Sequence, residues 1–583
     1  MAENPTLDPL EISPAKLLFL GDIIEERLFP FPQVSQEERE TLEMILDSVE
    51  KLMEPLASQY AESDRSGELA PHYLDTLKEI GLFGLIIPEE YGGIGLSNTG
   101  YSRVVQQTSM FDASTSLTIG AHSSIGMRGL LLFGNEDQHK RYYPKLATGE
   151  MLAAFCLTEP GSGSDAASIK TTASKNEDGS WTLTGSKIWI TNGGIADFYT
   201  VFAKTDGEAG KLSAFIVERG WEGVSNGPKE DKMGIRASNT TTVEFNEVRV
   251  PAENLLGEEG KGFKVAMSIL NSGRTGLGGG CVGAMKRCIK LAAQYSAERK
   301  QFGRTISEFG LVQAKLAKMG VDCFAAESVV SMVASFIDRG AVDYSVEAGI
   351  SKVFATEALW RTANEALQIA GGNGFMKEMP YEQVVRDSRI NMIFEGTNEI
   401  LRLYIALSSL KDAGQYLKDI SSSLGNIFND PIKGFGVLSG YATKKLSQYT
   451  PVGRDSLNQV PAILKDDAVI YEHYTQKFAQ GVEAVLKQHG KNIIGRQFIT
   501  GRLADIAIDL FVGLCVLSRV AAMVESKGEQ ETQHERSILR LFTQTAKRRT
   551  NQALRRIEKN DDTAKAQLAD FLVSQGKYPW DTL

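Results

Sequence analysis

Glu395 lies in Ile393-Phe-Glu-Gly-Thr-Asn-Glu-Ile400, after two apolar residues and before a glycine. Thr397 is a good N-cap for a helix whose apolar face would be Ile400, Leu401, Tyr404 and Ile405. Burial would raise the pKa of such a carboxyl, and the helix N-terminus would lower it. The group can serve as a base or simply open a helix, and the local pattern alone favours the second. A further segment, Phe155-Cys-Leu-Thr-Glu-Pro-Gly-Ser-Gly-Ser-Asp165, suits ligand binding. Gly161 and Gly163 free the backbone to approach a ligand, Thr158 and Ser164 add hydroxyls beside N–H donors, and Asp165 can fix the turn. It has neither the GxGxxG spacing nor a Walker A loop, and an ordinary helix-to-strand turn explains it equally well.

Four other segments carry polar or aromatic groups at glycine-rich breaks. Lys187-Ile-Trp-Ile-Thr-Asn-Gly-Gly194 reads as a strand ending in a turn, where Trp189 either faces a ligand or packs in the core. In Leu270-Asn-Ser-Gly-Arg274, at a Gly-rich opening into a helix, the arginine can meet a phosphate or make a surface salt bridge. Glu298-Arg-Lys-Gln-Phe-Gly303 puts cations in the last turn of a helix, which helix C-terminal chemistry also explains. The glycines of Gln368-Ile-Ala-Gly-Gly-Asn-Gly-Phe375 leave room for a backbone or a pyrophosphate, or stop a helix.

These segments need a scaffold. Residues 37–57, 71–85, 98–111 and 115–134 read as helices, so 1–153 is expected to be a helical domain. The pattern turns β-like at 168–175, 181–190, 197–205, 211–218 and 241–250, with Asp178-Gly179 as a hairpin signal. A small antiparallel β domain over 154–258 is therefore expected. Long helical segments return at 281–299, 311–338, 343–370 and 397–410, and Val282, Met285, Ile289 and Ala292 trace one face of the first. They predict a four-helix bundle over 259–412, followed by a Gly-rich connector at 430–440 and a further helical domain within 430–583. The expected fold class is mainly α with a central antiparallel β domain.

Bulk properties narrow the function. A chain of 583 residues is too long for one core, and a net charge of −10 argues against a nucleic-acid binder. The five cysteines are scattered with no CxxC pair, which fits a reducing compartment and no thiolate metal site. None of the six histidines forms a ligand pattern, so no metal is expected. The start, Met-Ala-Glu-Asn-Pro, lacks a basic region followed by an apolar core. No secretory signal is expected, and the location expected is cytoplasmic or peripheral at the inner membrane face. The apolar run Leu510–Leu517 is too short to span a bilayer.

In their order and separations the six segments resemble those of the acyl-CoA dehydrogenase family, over about residues 40–410. Lys232-Met-Gly-Ile-Arg-Ala-Ser-Asn-Thr240 and Gly262-Phe-Lys-Val-Ala-Met267 add to the likeness, and the long extension makes the chain look closest to the very-long-chain enzymes. The resemblance implies an N-terminal helical, middle β and C-terminal four-helix architecture around FAD. It implies that Glu395 is the base, and that Phe155, Cys156, Leu157, Thr158, Gly163 and Ser164 line the flavin, with Ser164 also near acyl-CoA. Trp189, Ile190 and Thr191 would cover the flavin's other side, while Thr397, Asn398 and Glu399 hold FAD beside the base. Asn271, Arg274, Phe394 and Gly396 would bind the substrate, Arg274 near the CoA adenine and its phosphate. Arg299, Gln301 and Phe302, with Gln368, Ile369, Gly371 and Gly372, would serve the FAD of a partner subunit.

Isovaleryl-type relatives carry their base just before the equivalent of Arg274, where this chain has Gly273. Gly120 and Ala121 are small where medium-chain relatives close the pocket with bulky polar residues, which favours long acyl chains. The implied reaction is oxidation of a long or very-long-chain fatty acyl-CoA to trans-2-enoyl-CoA, the first step of β-oxidation, with hydride transfer to flavin N5. Electron-transferring flavoprotein is the expected acceptor, and a homodimer the expected assembly, with a tetramer as the alternative. The rival readings are an acyl-CoA oxidase using oxygen and a weakly active FAD-binding assembly partner. Lys547, Arg548, Arg549, Arg555, Arg556 and Lys559 form a basic run that is either a solvated helix face or a weak membrane contact. Around 450–470, Lys465, Asp466 and Asp467 argue against strong membrane attachment.

Overall fold

The computed structural model of the chain describes residues 13–70, 72–207, 210–425 and 457–582, without the side chains of 414–425. The connector at 430–440 and residues 450–456 lie outside the described residues. Two compact units emerge, Phe31–Ile400 and a second one made of Ser13–Pro30 and Leu401–Leu583.

The first unit begins with helices that start where their caps dictate. In α1 (Gln36–Met53), α2 (Asn98–Phe111) and α3 (Ala113–Gly120) the N-cap is Ser35, Ser97 or Asp112, and each side chain accepts a backbone N–H of the first turn. The helix expected over 115–134 is interrupted: α3 passes into a π-type turn at Ala121–Gly126 before a short helix at Arg128–Phe133. At Gly126 an added Cβ would sit 2.7 Å from Ala121 O and from the Ala153 carbonyl carbon, so the turn packs against the first strand through a glycine.

The middle of this unit is an eight-stranded sheet: β1 (Ala153–Cys156), β2 (Thr172–Lys175), β3 (Trp181–Thr191), β4 (Phe198–Thr205), β5 (Leu212–Glu218), β6 (Val224–Asn226), β7 (Thr240–Val250) and β8 (Leu255–Leu256). Its order is β6-β7-β3-β2-β4-β5-β8, with β1 beside β4. Most pairs are antiparallel as expected, but β1–β4 and β2–β4 run parallel, so the sheet is mixed. The reason is the excursion over 157–171, which carries the chain away from β1 instead of reversing it as a hairpin would. Asp178-Gly179 forms the expected turn: Gly179 has φ 87°, and Asp178 accepts the Ser180 N–H at 3.1 Å. The strand expected from 168 starts at Thr172, because Ala166–Ser168 coils into a short helical turn.

The helices α4 (Gly262–Glu298), α5 (Gly310–Asp338), α6 (Ser345–Ala370), α7 (Tyr381–Arg389) and α8 (Asn398–Gly425) follow. The first is one 37-residue helix that begins well before residue 281. Its glycines conceal the helix in the sequence, since each costs about 1 kcal/mol of helix propensity. They are required for packing: an added Cβ at Gly279 would lie 2.7 Å from Ser102 Oγ, and one at Gly283 would lie 2.0 Å from Gln106 O, both on α2.

In the second unit α9 (Lys465–His489), α10 (Gln497–Lys527), α11 (Gln533–Glu558) and α12 (Asp562–Gln575) are the main helices. Leu510–Leu517 is buried inside α10. Ser13–Pro30 packs here: the rings of Phe19 and Phe478 are 4.7 Å apart, and Gln476 donates to Gly21 O at 2.7 Å. Lys465, Asp466 and Asp467 occupy the first turn of α9. Arg549 of the basic run pairs with the buried carboxylate of Asp509.

Candidate active site

Glu395 lies between α7 and α8, three residues before α8 begins, in a turn of two left-handed residues with φ 54° at Glu395 and 91° at Gly396. A non-glycine residue in that region carries local strain and needs its surroundings to hold it. Two cations do so. Arg274 Nη2 reaches Glu395 O at 3.4 Å, and Lys352 Nζ donates to Gly396 O at 2.9 Å. Thr397 caps the following helix as expected, its Oγ1 accepting the Ile400 N–H at 3.3 Å. The expected apolar face of α8 is narrower than four residues: Leu401 and Ile405 are buried, whereas Ile400 and Tyr404 are exposed.

The Oε2 of Glu395 is buried with no hydrogen-bond partner among the described residues. Burial pushes its pKa above the ordinary carboxyl range, while Arg274 and, to a smaller extent, Lys352 pull the other way. Two side-chain cations thus oppose the burial of the carboxylate. Arg274 lies inside α4 and is buried, not at a helix opening or on the surface, and it donates to Asn271 Oδ1 at 2.5 Å. Gly273 leaves no place for a rival base. An added Cβ there would lie 2.8 Å from Ile125 and 3.1 Å from Ser124 O.

The segment 155–165 runs beside β3. Ile188 N donates to Thr158 O at 3.0 Å, which sets Thr158 next to the strand that ends in Trp189 and Thr191. Beneath it is an ion pair that the sequence reading passed over. Lys187, with no exposed side-chain surface, donates to Glu159 Oε1 at 2.7 Å, Phe202 O at 2.8 Å and Leu157 O at 3.3 Å. Glu159 also accepts from Thr171 N at 3.0 Å and from Lys170 N and Thr171 Oγ1, both at 2.5 Å. Cys156 and Ile190 are core side chains, so only their backbones can meet a ligand, and burial pushes the Cys156 thiol up to about 12. Leu157 is buried, whereas Phe155 and Phe394 are half-buried and Gly163, Ser164 and Glu399 are exposed.

Arg299, Gln301, Phe302, Gln368, Gly371 and Gly372 form a separate exposed patch, with Ile369 buried beneath it. It lies at the ends of α4 and α6, where Asn373 donates to Tyr295 at 3.4 Å. Arg274 lies inside α4 and Arg299 follows its last residue, roughly 37 Å away along the axis.

Residues 35–150, 154–248 and 260–410 match in turn the acyl-CoA dehydrogenase N-terminal, middle and C-terminal domains, and 462–577 match the ACAD9/ACADV C-terminal domain. The chain belongs to the acyl-CoA dehydrogenase family. It is 46% identical over 536 residues to the mitochondrial very long-chain specific acyl-CoA dehydrogenase of Macaca fascicularis, a match covering 90% of this chain and 81% of that protein. Among solved structures, the acyl-CoA dehydrogenase complexed with FAD from Bacillus anthracis superposes with a TM-score of 0.81 at 32% identity, covering 97% of this chain and 96% of that one. Butyryl-CoA dehydrogenase from Megasphaera elsdenii gives 0.62 at 38% identity, covering 65% of this chain and 99% of that one.

Acyl-CoA dehydrogenases use FAD, and the residues here fit it. Trp189 lies near the end of β3 at φ 58° and is 62% exposed, a flat surface suited to a ring system. An added Cβ at Gly161, Gly163, Gly371 or Gly372 would meet no atom within 4 Å, so each backbone can be approached closely. Lys352 is the site residue the sequence reading missed. Its signal was present: a lone cation inside the otherwise uncharged run Ala348-Gly-Ile-Ser-Lys-Val-Phe-Ala355 of a buried helix.

Proposed function

We propose that the chain oxidises long-chain acyl-CoA thioesters to trans-2-enoyl-CoA, with Glu395 as the base that removes the α-proton. Its family makes it an FAD-dependent acyl-CoA dehydrogenase of fatty-acid β-oxidation; the base and the chain length are what is proposed here. One observation carries the assignment: a buried, unpartnered carboxylate oxygen on Glu395, flanked by Arg274 and Lys352.

FAD, when bound, supplies the hydride acceptor. This chain's residues position the base and control its protonation. A raised pKa makes the Glu395 carboxylate a stronger base, and the two cations favour its ionised form. The thioester oxygen gains negative charge as the proton leaves and needs preorganised donors. The Glu395 N–H is the protein donor that the family resemblance assigns to it.

Gly120 supports a long-chain preference. A Cβ added there would meet only Ser124 Oγ at 3.8 Å, so there is open space beside this position. Turnover with an artificial acceptor, over acyl-CoAs from butyryl to eicosanoyl, should give the highest kcat/KM at palmitoyl or beyond. Gly120→Leu should lower kcat/KM for palmitoyl-CoA relative to octanoyl-CoA by on the order of tenfold or more. A wild-type optimum at butyryl-CoA would refute the chain-length reading.

Electron-transferring flavoprotein is the proposed acceptor; rapid oxygen consumption with palmitoyl-CoA and no added acceptor would favour an oxidase instead. A homodimer is proposed because the Arg299 patch is too distant from Arg274 to serve the same acyl-CoA and flavin. Phe302, 94% exposed, and Phe375, 77% exposed, give that patch apolar surface for a second copy. Arg299→Glu should therefore lower the flavin-to-protein absorbance ratio after desalting, although Glu395 and its neighbours are untouched. An unchanged ratio would remove Arg299 from flavin binding.

A further inference from the structure

The structure assigns Lys352 a role in the reaction: we propose that it is the positioning residue for the base, holding the Glu395 turn and supplying a fixed positive charge beside it. The inference rests on Glu395 being the base.

Lys352 has no exposed surface, yet its side chain leaves α6 and ends on the turn. Its ammonium donates to Gly396 O at 2.9 Å and to Asn398 Oδ1 at 2.8 Å, the residues one and three positions after the base. Asn398 is held by the same helix face. Its Nδ2 donates to Thr356 Oγ1 at 3.1 Å and to Glu357 Oε1 at 3.2 Å. Lys352 and Thr356 are four residues apart and so lie one above the other. The left-handed turn is thus fastened to α6 at two points, just after the residue whose φ is 54°.

The charge is placed as deliberately as the bonds. Both acceptors of the ammonium are neutral, so no hydrogen-bonded carboxylate cancels it. Desolvation pulls the Lys352 pKa down to about 8, and the largest influence opposing that is Glu395. Other groups face this pair. Arg274 and Cys281 approach from α4, Glu357 from α6 itself, and Tyr101 from α2 also feels Glu395. Arg274 is the other cation on the base, so Lys352 is one of two positive charges acting against the burial of the carboxylate.

Removing a cation near a carboxylate raises the carboxyl pKa. An opposite charge within about 4–6 Å of a carboxylate shifts it by on the order of one to three units. Lys352→Met should therefore move the acid limb of the pH profile of flavin reduction by palmitoyl-CoA to higher pH. At neutral pH the reduction rate should fall by on the order of tenfold or more, with partial recovery in alkali. KM for palmitoyl-CoA should change little.

Lys352→Gln separates charge from tethering, because the Gln amide keeps a donor for Gly396 O. If the charge matters, both variants share the shifted limb. If Lys352 only ties the turn, Gln restores the wild-type profile and the proposal falls. A uniform loss of rate at every pH in both variants overturns it, as does failure of both to retain flavin. Loss of reduction in Lys352 variants while Glu395→Gln remains active would instead remove the base assignment on which the inference stands.

Discussion

Glu395→Gln is expected to retain FAD and lose reduction of the flavin by substrate. The variant keeps the size of the side chain and the left-handed turn, because Arg274 and Lys352 hold backbone oxygens of residues 395 and 396, not the carboxylate. It removes the proton acceptor. General-base catalysis is worth roughly 100- to 10,000-fold, so anaerobic bleaching by palmitoyl-CoA should slow at least that much. Binding should persist, visible as a perturbed flavin spectrum without bleaching. The wild-type protein should lose activity as pH falls through the raised pKa of Glu395, since the protonated carboxyl cannot accept the proton. The glutamine variant should show no such limb.

Lys187→Met is expected to cost about 3–5 kcal/mol of stability, the usual effect of stranding one member of a buried ion pair. Glu159 would stay buried with its charge uncompensated, and its segment carries Thr158 and Ser164. Thermal unfolding should begin earlier and the flavin-to-protein ratio should drop. The double variant Lys187→Met/Glu159→Gln should recover part of the loss, because an uncharged pair avoids the desolvation of both ions and the Gln oxygen still accepts from Thr171, while its amide nitrogen cannot accept from Lys170 N. Burial alone would raise the Glu159 carboxyl, but Lys187 and the donated hydrogen bonds outweigh it and hold it below its ordinary value of 4.5. A carboxyl depressed on folding stabilises above its unfolded pKa, and that contribution is lost as pH falls through the folded one. In Lys187→Met the Glu159 carboxyl loses that cation and its pKa rises, so the stability deficit relative to the wild type should be largest near neutral pH and shrink as acid protonates Glu159.

The architecture was legible where local chemistry and tertiary packing agree. Asp178-Gly179 marked a real turn because only a small residue takes φ 87° there. Asn98–Phe111 was bounded correctly because Ser97 caps it and Asp112 begins the next helix. It failed where packing overrides propensity. The glycines of α4 hid half of that helix, since their purpose is contact with α2. The parallel pairing of β1 depends on a long-range register that periodicity does not encode. At the site, Glu395 was singled out by motif order, since its own neighbourhood looked like a plain helix start. Lys352 and Lys187 were passed over for the opposite reason. Each is a cation in an apolar stretch, and a period count treats it as noise unless one asks where a buried ammonium finds its acceptors.

The most direct measurement is anaerobic titration of the purified flavoprotein with palmitoyl-CoA, followed by flavin absorbance and product analysis. A catalytic base at Glu395 requires stoichiometric bleaching and formation of the trans-2-enoyl-CoA in the wild type, both absent in Glu395→Gln. A flavin-loaded wild-type protein whose spectrum stays oxidised with every acyl-CoA from butyryl to eicosanoyl, or a Glu395→Gln variant that bleaches at the wild-type rate, would contradict it.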